Sequence, residues 1–220
     1  MRTVPVIAID GPSASGKGTV GQLVAGTLGF HHLDSGSLYR LVALGAANRG
    51  IDIRDEAAVA AVAARLPARF EGDEIFLEDR RVTDAIRTEE CSAAASVVAA
   101  LPGVRQALLQ RQREFRRRPG LVAEGRDMGS VVFPDADLKV FLTASLQARA
   151  ERRHKQLKEK GIAATLPTLL QDLRERDARD ASRSVAPLRQ SPGARLLDTS
   201  AMSAAQAATR IVDWYRGANG

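Results

Sequence analysis

The 220 residues of this chain, 45% of them hydrophobic, are enough to bury one sizeable core. No stretch approaches the roughly 20 apolar residues that a membrane-spanning helix needs, and Asp10 and the glycines after it interrupt any apolar segment of a signal peptide, so we expect a cytoplasmic protein with no membrane partner. The net charge of +6 comes mostly from arginines that are interleaved with acidic residues, and one tryptophan and two tyrosines leave little for base stacking, which argues against nucleic acid as a partner.

The sequence offers little for disulfide or metal chemistry, because it has one cysteine and three histidines. Cys91 has no second cysteine to pair with, and we interpret it as a buried, unreactive thiol. No cluster of metal ligands stands out, so no residue is assigned to a metal.

The first predicted element is a buried parallel strand at 4–10, a short apolar run rich in β-branched residues. Apolar residues at helical spacing then predict a helix that ends at Gly29. Between the two lies the stretch DGPSASGKGT, residues 10–19, so that a glycine-rich loop joins a strand to a helix.

This loop has the Gly-x4-Gly-Lys spacing of a phosphate-binding loop (P-loop), from Gly11 to Gly16 and Lys17. Glycines let the backbone turn tightly and direct successive N–H groups at an anion, and the helix N-terminus adds the positive end of its dipole. We predict that Lys17 reaches the β- and γ-phosphates of a nucleotide; the alternative is an ordinary glycine turn with a surface lysine. Gly18 stands where a serine or threonine usually follows the lysine, with Thr19 one place later, a variant that nucleoside monophosphate kinases carry. It leaves open which group contacts Mg²⁺.

The rest of the chain alternates strands with helices, which favours an α/β fold with a parallel sheet covered by helices on both faces. The further predicted strands are a short one within 30–36 and others at 120–125, 138–144 and 194–200. The further predicted helices are at 37–48, 56–66, 89–117 with a break at Pro102–Gly103, 145–182 and 203–216. Short alternating runs at 68–83 predict two or three small antiparallel strands inserted between helices.

Polar and charged residues follow the predicted strand ends, in LDSGSLYR (33–40) and EGRDMGSVVFP (124–134). Ligands of open α/β sheets bind outside the carboxyl ends of the strands, so we expect the glycine loop, Arg40 and the Arg126–Asp127 pair at one rim. The alternative for Arg126 and Asp127 is a mutual ion pair that caps a helix.

A second group of charges lies in RERDARDASRSVAP, where Arg176, Asp180 and Arg183 are at i, i+4 and i+7 and share one face of a predicted helix. Taken alone, these residues favour a solvated helix face held by weak salt bridges.

Together these segments resemble the bacterial cytidylate kinases. The resemblance is carried by IDGPSASGKGT, LDSGSLYR, RQALLQRQREF, EGRDMGSVVFP, RERDARDASRSVAPL and LLDTS, and it covers nearly the whole chain. It implies a three-layer P-loop NTPase-type parallel sheet flanked by helices, with a small antiparallel β insert and a short helical lid. It implies a single kinase domain over 1–220 that works as a monomer. Within that domain, 35–117 would be the monophosphate-binding region with its β insert at about 68–83, and 149–187 would form the lid and acceptor-binding helices.

The resemblance also implies the reaction, which is transfer of the γ-phosphoryl group of ATP to CMP or dCMP, giving ADP and CDP or dCDP, with Mg²⁺ bound alongside ATP. Transfer would proceed in line, stabilised by Lys17, Arg126 and Arg40, and would need no general base because the attacking phosphate oxygen is already anionic. Glu124, at a strand end, is a candidate for orienting a magnesium-bound water. The residues that the resemblance assigns to ATP binding are Gly11, Ser13, Ala14, Ser15, Gly16, Lys17, Gly18 and Thr19.

For the acceptor, the resemblance assigns three groups of residues. Arg40 and Arg126 would clamp the phosphate. Those that would read the cytosine are Ser35, Arg105, Asp127 and Arg183. Those that would contact the sugar are Ser96, Arg176 and Asp180. An acid and several arginines complement cytosine, which offers one amino donor and two acceptors.

Two other functions stay open on the residues alone. One is a kinase for another acceptor, such as UMP, AMP, shikimate or dephospho-coenzyme A, because P-loop folds host many acceptors. The other is a nucleotide-dependent protein that binds RNA through its arginines.

Three arginines of the predicted lid helix, Arg149, Arg152 and Arg153, either contact phosphates when the lid closes or face solvent, and we expect at least one to face solvent. Tyr39 and His32 are interpreted as packing residues.

Overall fold

The computed structural model describes residues 3–72, 74–159, 161–183 and 185–219. The chain divides into two compact units, one formed by 1–33 and 115–220 and the other by 34–114. Asp73 of the predicted insert, and Lys160 and Ser184 of the predicted lid region, lie outside the described residues.

The first unit contains a five-stranded parallel sheet. Its strands are β1 (Val6–Asp10), β2 (His31–Asp34), β6 (Leu121–Gly125), β7 (Leu138–Thr143) and β8 (Arg195–Asp198). They lie in the order β2-β6-β1-β7-β8, so β1 is central, and Ile7 is in register with Val122 on one side and Leu138 on the other. All five residues of β1 are buried, as its apolar, β-branched sequence predicted.

Helices flank this sheet. They are α1 (Lys17–Leu28), α6 (Leu146–Glu159), α7 (Leu166–Ala181) and α8 (Ala204–Asn219). Helices α1 and α8 pack against the sheet in one core that includes Ile7, Val24 and Ile211. Helices α6 and α7 share a smaller cluster of buried apolar side chains that includes Leu157 and Leu169.

The described residues of the second unit form four α-helices, a small antiparallel sheet and a short 3₁₀ turn. The helices are α2 (Ser35–Ala47), α3 (Glu56–Ala64), α4 (Glu89–Val98) and α5 (Pro102–Arg113), and the strands, in the order β3-β4-β5, are β3 (Ala68–Glu71), β4 (Glu74–Leu77) and β5 (Arg80–Arg81). The predicted fold class is therefore confirmed, both for the parallel sheet flanked by helices and for the separate antiparallel sheet.

The structure corrects the predicted element boundaries at two places. Helix α2 begins at Ser35 instead of residue 37, because the Asp34 side chain caps it by accepting a hydrogen bond from Ser37 N at 3.3 Å. The predicted break between the two helices is present, but it lies at 99–101, and Pro102 and Gly103 begin α5, since proline has no N–H to lose in the first turn.

Two short helical turns have no counterpart in the predicted elements. A 3₁₀ turn covers Ala85–Arg87, and a π-helical turn covers Met128–Val132, directly after Arg126 and Asp127. Turns of the π type are rare and occur frequently at functional sites.

Within the described part of the chain, no single helix is both long and apolar enough to span a membrane, although α4 and α5 together reach that length and hydropathy across a bend of 101°.

Candidate active site

The glycine loop leaves the carboxyl end of β1 and enters α1 in a tightly turned conformation. Gly16, which caps α1, has a left-handed backbone with φ of 96°, and Ala14 is also left-handed with φ of 57°. A Cβ on Gly11 would overlap the carbonyl oxygen of Leu142 in β7, so only glycine fits there. The loop therefore has the geometry that its glycine spacing predicted.

Lys17 is buried among charged side chains, of which Arg126 and Arg176 lower its pKa and Glu124 and Asp10 raise it. Its side chain is buried, and Nζ donates to the carbonyl oxygen of Pro12 at 2.7 Å and to Ser15 Oγ at 3.4 Å. Burial, and after it Arg126, lower the pKa of Lys17 to about 7, although Glu124 partly opposes both. A phosphate next to Lys17 would favour the charged form of its side chain.

Two arginines of α6 hold carbonyl groups of the loop. Arg149 Nη1 donates to Ser13 O at 3.1 Å, and Arg152 Nη1 donates to Ser15 O at 3.1 Å. Because N–H and C=O of a trans peptide point in opposite directions, these bonds turn the following N–H groups, of Ala14 and Gly16, away from α6. The two N–H groups are thereby available to an anion.

The three arginines of the predicted lid helix, Arg149, Arg152 and Arg153, differ in their surroundings. Arg149 is buried and Arg152 partly buried, both against the loop backbone. Arg153 Nη1 donates to the exposed Gln156 Oε1 at 3.2 Å.

Asp10, at the end of β1, was missed as a site residue. Its two carboxylate oxygens accept hydrogen bonds from Met128 N and Gly129 N, each at 2.8 Å. Burial raises the pKa of Asp10 to about 6, against the lowering effect of these two bonds. Asp10 thus fixes the π-helical turn behind Arg126 and Asp127, and an acid at the last position of a buried strand was the signal for it.

Glu124, at the end of β6, is buried beside the first turn of α1. His32 Nε2 lies 3.3 Å from Glu124 Oε1, and that oxygen has no hydrogen bond. A Cβ on Gly18 would lie only 3.2 Å from the same oxygen. Gly18 therefore leaves room for the carboxylate, which gives a physical reason for glycine where P-loops usually have serine or threonine.

Charged residues predicted to bind the acceptor meet at Asp180 on α7. Arg126 Nε donates to Asp180 Oδ2 at 2.7 Å, and Arg183 Nη2 donates to Oδ1. Burial disfavours the charge of Asp180, but these two guanidinium groups outweigh it and hold the pKa of the carboxyl below its usual value. Asp180 is 1% exposed, so the alternative of a solvated helix face does not hold. Asp127 is also buried in this unit. Arg176 contributes to the lowered pKa of both Lys17 and Asp180.

The other predicted acceptor residues belong to the second unit. Ser35 and Ser96 are buried, and Arg40 is partly exposed on α2. Arg105, on α5, is buried with its guanidinium 5.8 Å from the centre of the Tyr39 ring, and its Nη1 donates to Ala99 O at 3.1 Å. Tyr39 therefore packs, as interpreted, but against a predicted cytosine reader.

Cys91, in α4, was predicted to be buried, but the structure shows it partly exposed. Its Sγ donates to the carbonyl oxygen of Arg40 at 3.5 Å, and its partial burial raises the pKa of the thiol, which disfavours the reactive thiolate.

A buried strand, a glycine loop with a buried lysine, and a helix that begins at that lysine define a P-loop nucleotide-binding protein. The family model described as "Cytidylate kinase" matches residues 7–217. A protein named Cytidylate kinase from Polynucleobacter asymbioticus is 58% identical over 218 residues, which are 99% of this chain and 99% of that protein. Another of the same name, from Chromobacterium violaceum, is 60% identical over 213 residues, 97% of this chain and 96% of that protein. The chain belongs to the cytidylate kinase family, which confirms the predicted family and enzyme class.

A solved structure shares the fold at low sequence identity. It is an uncharacterized protein from Eubacterium ventriosum, with a TM-score of 0.55, 10% identity, and coverage of 97% of this chain and 99% of that one.

Proposed function

We propose that this protein transfers the γ-phosphoryl group of ATP to CMP or dCMP, giving ADP and CDP or dCDP. Membership of the cytidylate kinase family supports the reaction. The observation that carries the proposal is the buried Lys17 at the start of α1, where burial, Arg126 and Arg176 lower the pKa of the ammonium against the opposing effect of Glu124 and Asp10. Burial disfavours the charged form of Lys17, and an ATP phosphate beside it would favour that form.

The donor phosphates would lie in the loop. Lys17 Nζ would exchange its bonds to Pro12 O and Ser15 Oγ for phosphate oxygens, and the N–H groups of Ala14 and Gly16 would donate to the same anion. The N-terminus of α1 adds the positive end of a twelve-residue helix dipole.

The residues beside Lys17 fit a Mg²⁺ ion that enters with ATP. Mg²⁺ takes one or two carboxylates together with phosphate oxygens and water. Glu124 offers a buried carboxylate with an oxygen that lacks a hydrogen bond, so it would hold the ion directly or through water. When bound, Mg²⁺ neutralises charge on the transferring phosphoryl group.

The acceptor would enter with its phosphate already anionic, so proton removal by a side chain is not required. Arg126 would bind that phosphate while Asp180 holds its Nε edge, and Arg40 would complete the clamp. The protein then contributes alignment of the two phosphates and stabilisation of the charge that spreads over the transferring group.

Recognition of the base is assigned to Asp127 and to arginine forks. The carboxylate of Asp127 would accept from the exocyclic amine of cytosine, and Arg183 and Arg105 would donate to the ring N3 and O2 side; Ser35 is a further proposed contact of the base. Ser96, Arg176 and Asp180 would contact the sugar. We also propose that the protein is cytoplasmic, as its sequence predicts, and a monomer, as the family resemblance implies.

The test is ADP release in a coupled assay with Mg·ATP and each of CMP, dCMP, UMP, AMP and shikimate. We expect turnover with CMP and dCMP, and a loss on the order of 10²-fold or more in kcat/KM for Asp127→Ala, because its carboxylate would no longer pair with the amine. Asp213→Ala, which removes an exposed carboxylate on α8, is the matched control and should behave as wild type. Turnover with a different acceptor would refute the cytosine assignment, and no turnover with any acceptor would refute the kinase.

A further inference from the structure

The first turn of α6 carries an arginine to which the proposed transfer gives no role. The Arg149 side chain is 6% exposed. Its guanidinium donates to Ala144 O at 3.2 Å, to Ser13 O at 3.1 Å, and with both Nη groups to the carboxylate of Asp177 at 3.0 and 2.5 Å. One buried group therefore joins the phosphate loop, the residue after β7 and helix α7.

At the loop end, Arg149 acts on a peptide whose orientation matters. Ser13 precedes Ala14, whose left-handed backbone is unusual for a residue with a side chain. Such a conformation persists only where the surroundings hold it. The bond from Arg149 to Ser13 O fixes this peptide and the direction of the next N–H group.

At the other end, Asp177 belongs to the helix that carries the predicted acceptor residues. It directly follows Arg176 and precedes Asp180 by three residues. A rotation or shift of α7 that adjusts those residues to an acceptor must carry Asp177 with it, because all three lie within one rigid helix.

We propose that Arg149 and Asp177 form a coupling pair through which α7 sets the geometry of the phosphate loop. The proposal rests on the proposed function, since it assigns the loop to ATP and α7 to the acceptor. Both are positioning residues, because they act through the Ser13 peptide and need not touch a nucleotide. Coupling of this kind is reciprocal, so an acceptor on α7 changes the affinity for ATP by the same factor as ATP changes the affinity for the acceptor.

The chemistry of the pair explains why an arginine is required. A planar guanidinium can bind both oxygens of a carboxylate and still donate to a carbonyl group on another side. A lysine ammonium is a point charge on a flexible chain and cannot hold these partners in one plane. Arg149→Lys therefore keeps the charge and removes the coupling geometry.

The experiment compares Asp177→Asn, Arg149→Lys and the double variant by calorimetric titration with a non-hydrolysable ATP analogue, with and without CMP, and by kcat and KM for ATP. We expect each single variant to weaken analogue binding about 10-fold and to reduce the effect of CMP on it, and we expect the double variant to be no worse than either single one. Asp172→Asn makes the same change at an exposed position of α7 and should match wild type.

Wild-type affinity for the analogue in Asp177→Asn would overturn the proposal, and so would effects that multiply in the double variant. A lower melting temperature with unchanged affinity and KM would show a merely structural pair and would also overturn it. Arg149→Lys remains a test if Asp177→Asn does not fold. A wild-type protein that binds the analogue but does not phosphorylate CMP would refute the proposed acceptor, while the effect of the pair on analogue affinity could still be measured.

Discussion

At the scale of single residues, the unusual state of Lys17 has a consequence for ATP binding. Without nucleotide its pKa is about 7, because burial and the neighbouring Arg126 disfavour the charged form. Phosphates bound next to it would favour the charged form and raise the pKa. At pH 8 the free lysine is mostly neutral, so binding ATP must draw a proton from solution, whereas at pH 6 the lysine is already charged.

We therefore expect Mg·ATP binding to take up close to one proton at pH 8, about 0.9 by the titration of a group with this pKa, and little at pH 6. Titration calorimetry in two buffers of different ionisation enthalpy measures the number of protons. Lys17→Met should abolish the uptake and lower turnover about 10³-fold or more. Equal proton numbers at the two pH values would contradict the lowered pKa.

Residues whose role depends on neighbours in the chain were predictable, and those that depend on distant contacts were not. Lys17 is identified by the glycines around it, and Arg126 by a strand end. Arg149 and Asp177 are 28 residues apart on different helices, and no local pattern links them. Their pairing follows from the packing of α6 on α7, which sequence spacing does not reveal.

At the scale of secondary-structure elements, the buried carboxylate of Asp10 joins β1 to the π-helical turn. Its two oxygens serve two backbone N–H groups, and an asparagine would offer an N–H₂ group to one of them. We expect Asp10→Asn to cost about 1–3 kcal/mol of the free energy of unfolding, the penalty of a buried donor without an acceptor. The KM for CMP should also rise, because the turn supports Arg126 and Asp127.

The matched control is Asp137, which directly precedes β7 and contacts the opposite end of β1. Asp137 accepts a hydrogen bond from Val6 N at 2.8 Å, and it is exposed. Denaturant unfolding and CMP kinetics of Asp137→Asn should show a smaller loss of stability and an unchanged KM. A rise of KM in both variants would mean that the effect comes from general loosening of β1 and not from the turn.

The elements themselves were largely predictable, because each has a periodic apolar pattern bounded by glycine, proline or a capping residue. The start of α2 was misplaced although its signal was present, since Asp34 is a good cap three residues before Ser37. The π-helical turn carries no such signal. It is held by Asp10, 118 residues away from Met128 in the chain.

At the scale of the whole molecule, binding of the acceptor should stabilise the fold by mass action. CMP at about 100 times its Kd should raise the free energy of unfolding by about 2.7 kcal/mol, and the same concentration should do little for Asp127→Ala. Thermal unfolding with and without CMP provides the measurement.

Thermal unfolding with an RNA oligonucleotide in place of CMP, at low and high salt, distinguishes the kinase from a protein that binds RNA through its arginines. RNA affinity would fall steeply between 50 and 200 mM salt, by about 10³-fold for six phosphate contacts. Stabilisation by an RNA oligonucleotide with that salt dependence, without an effect of CMP, would favour the RNA-binding function.

The position of Cys91 makes the chain its own reporter. The sequence has one cysteine, and its thiol lies against the backbone of Arg40 with a raised pKa, so it reacts slowly in the native state. Because the thiol is partly exposed, the rate at which a thiol reagent labels the unmodified protein reports its exposure and thiolate fraction at the contact of α2 with α4, with no engineered label and no background from a second site. A difference between the labelling rates with and without CMP would show that the acceptor changes this contact within the 34–114 unit.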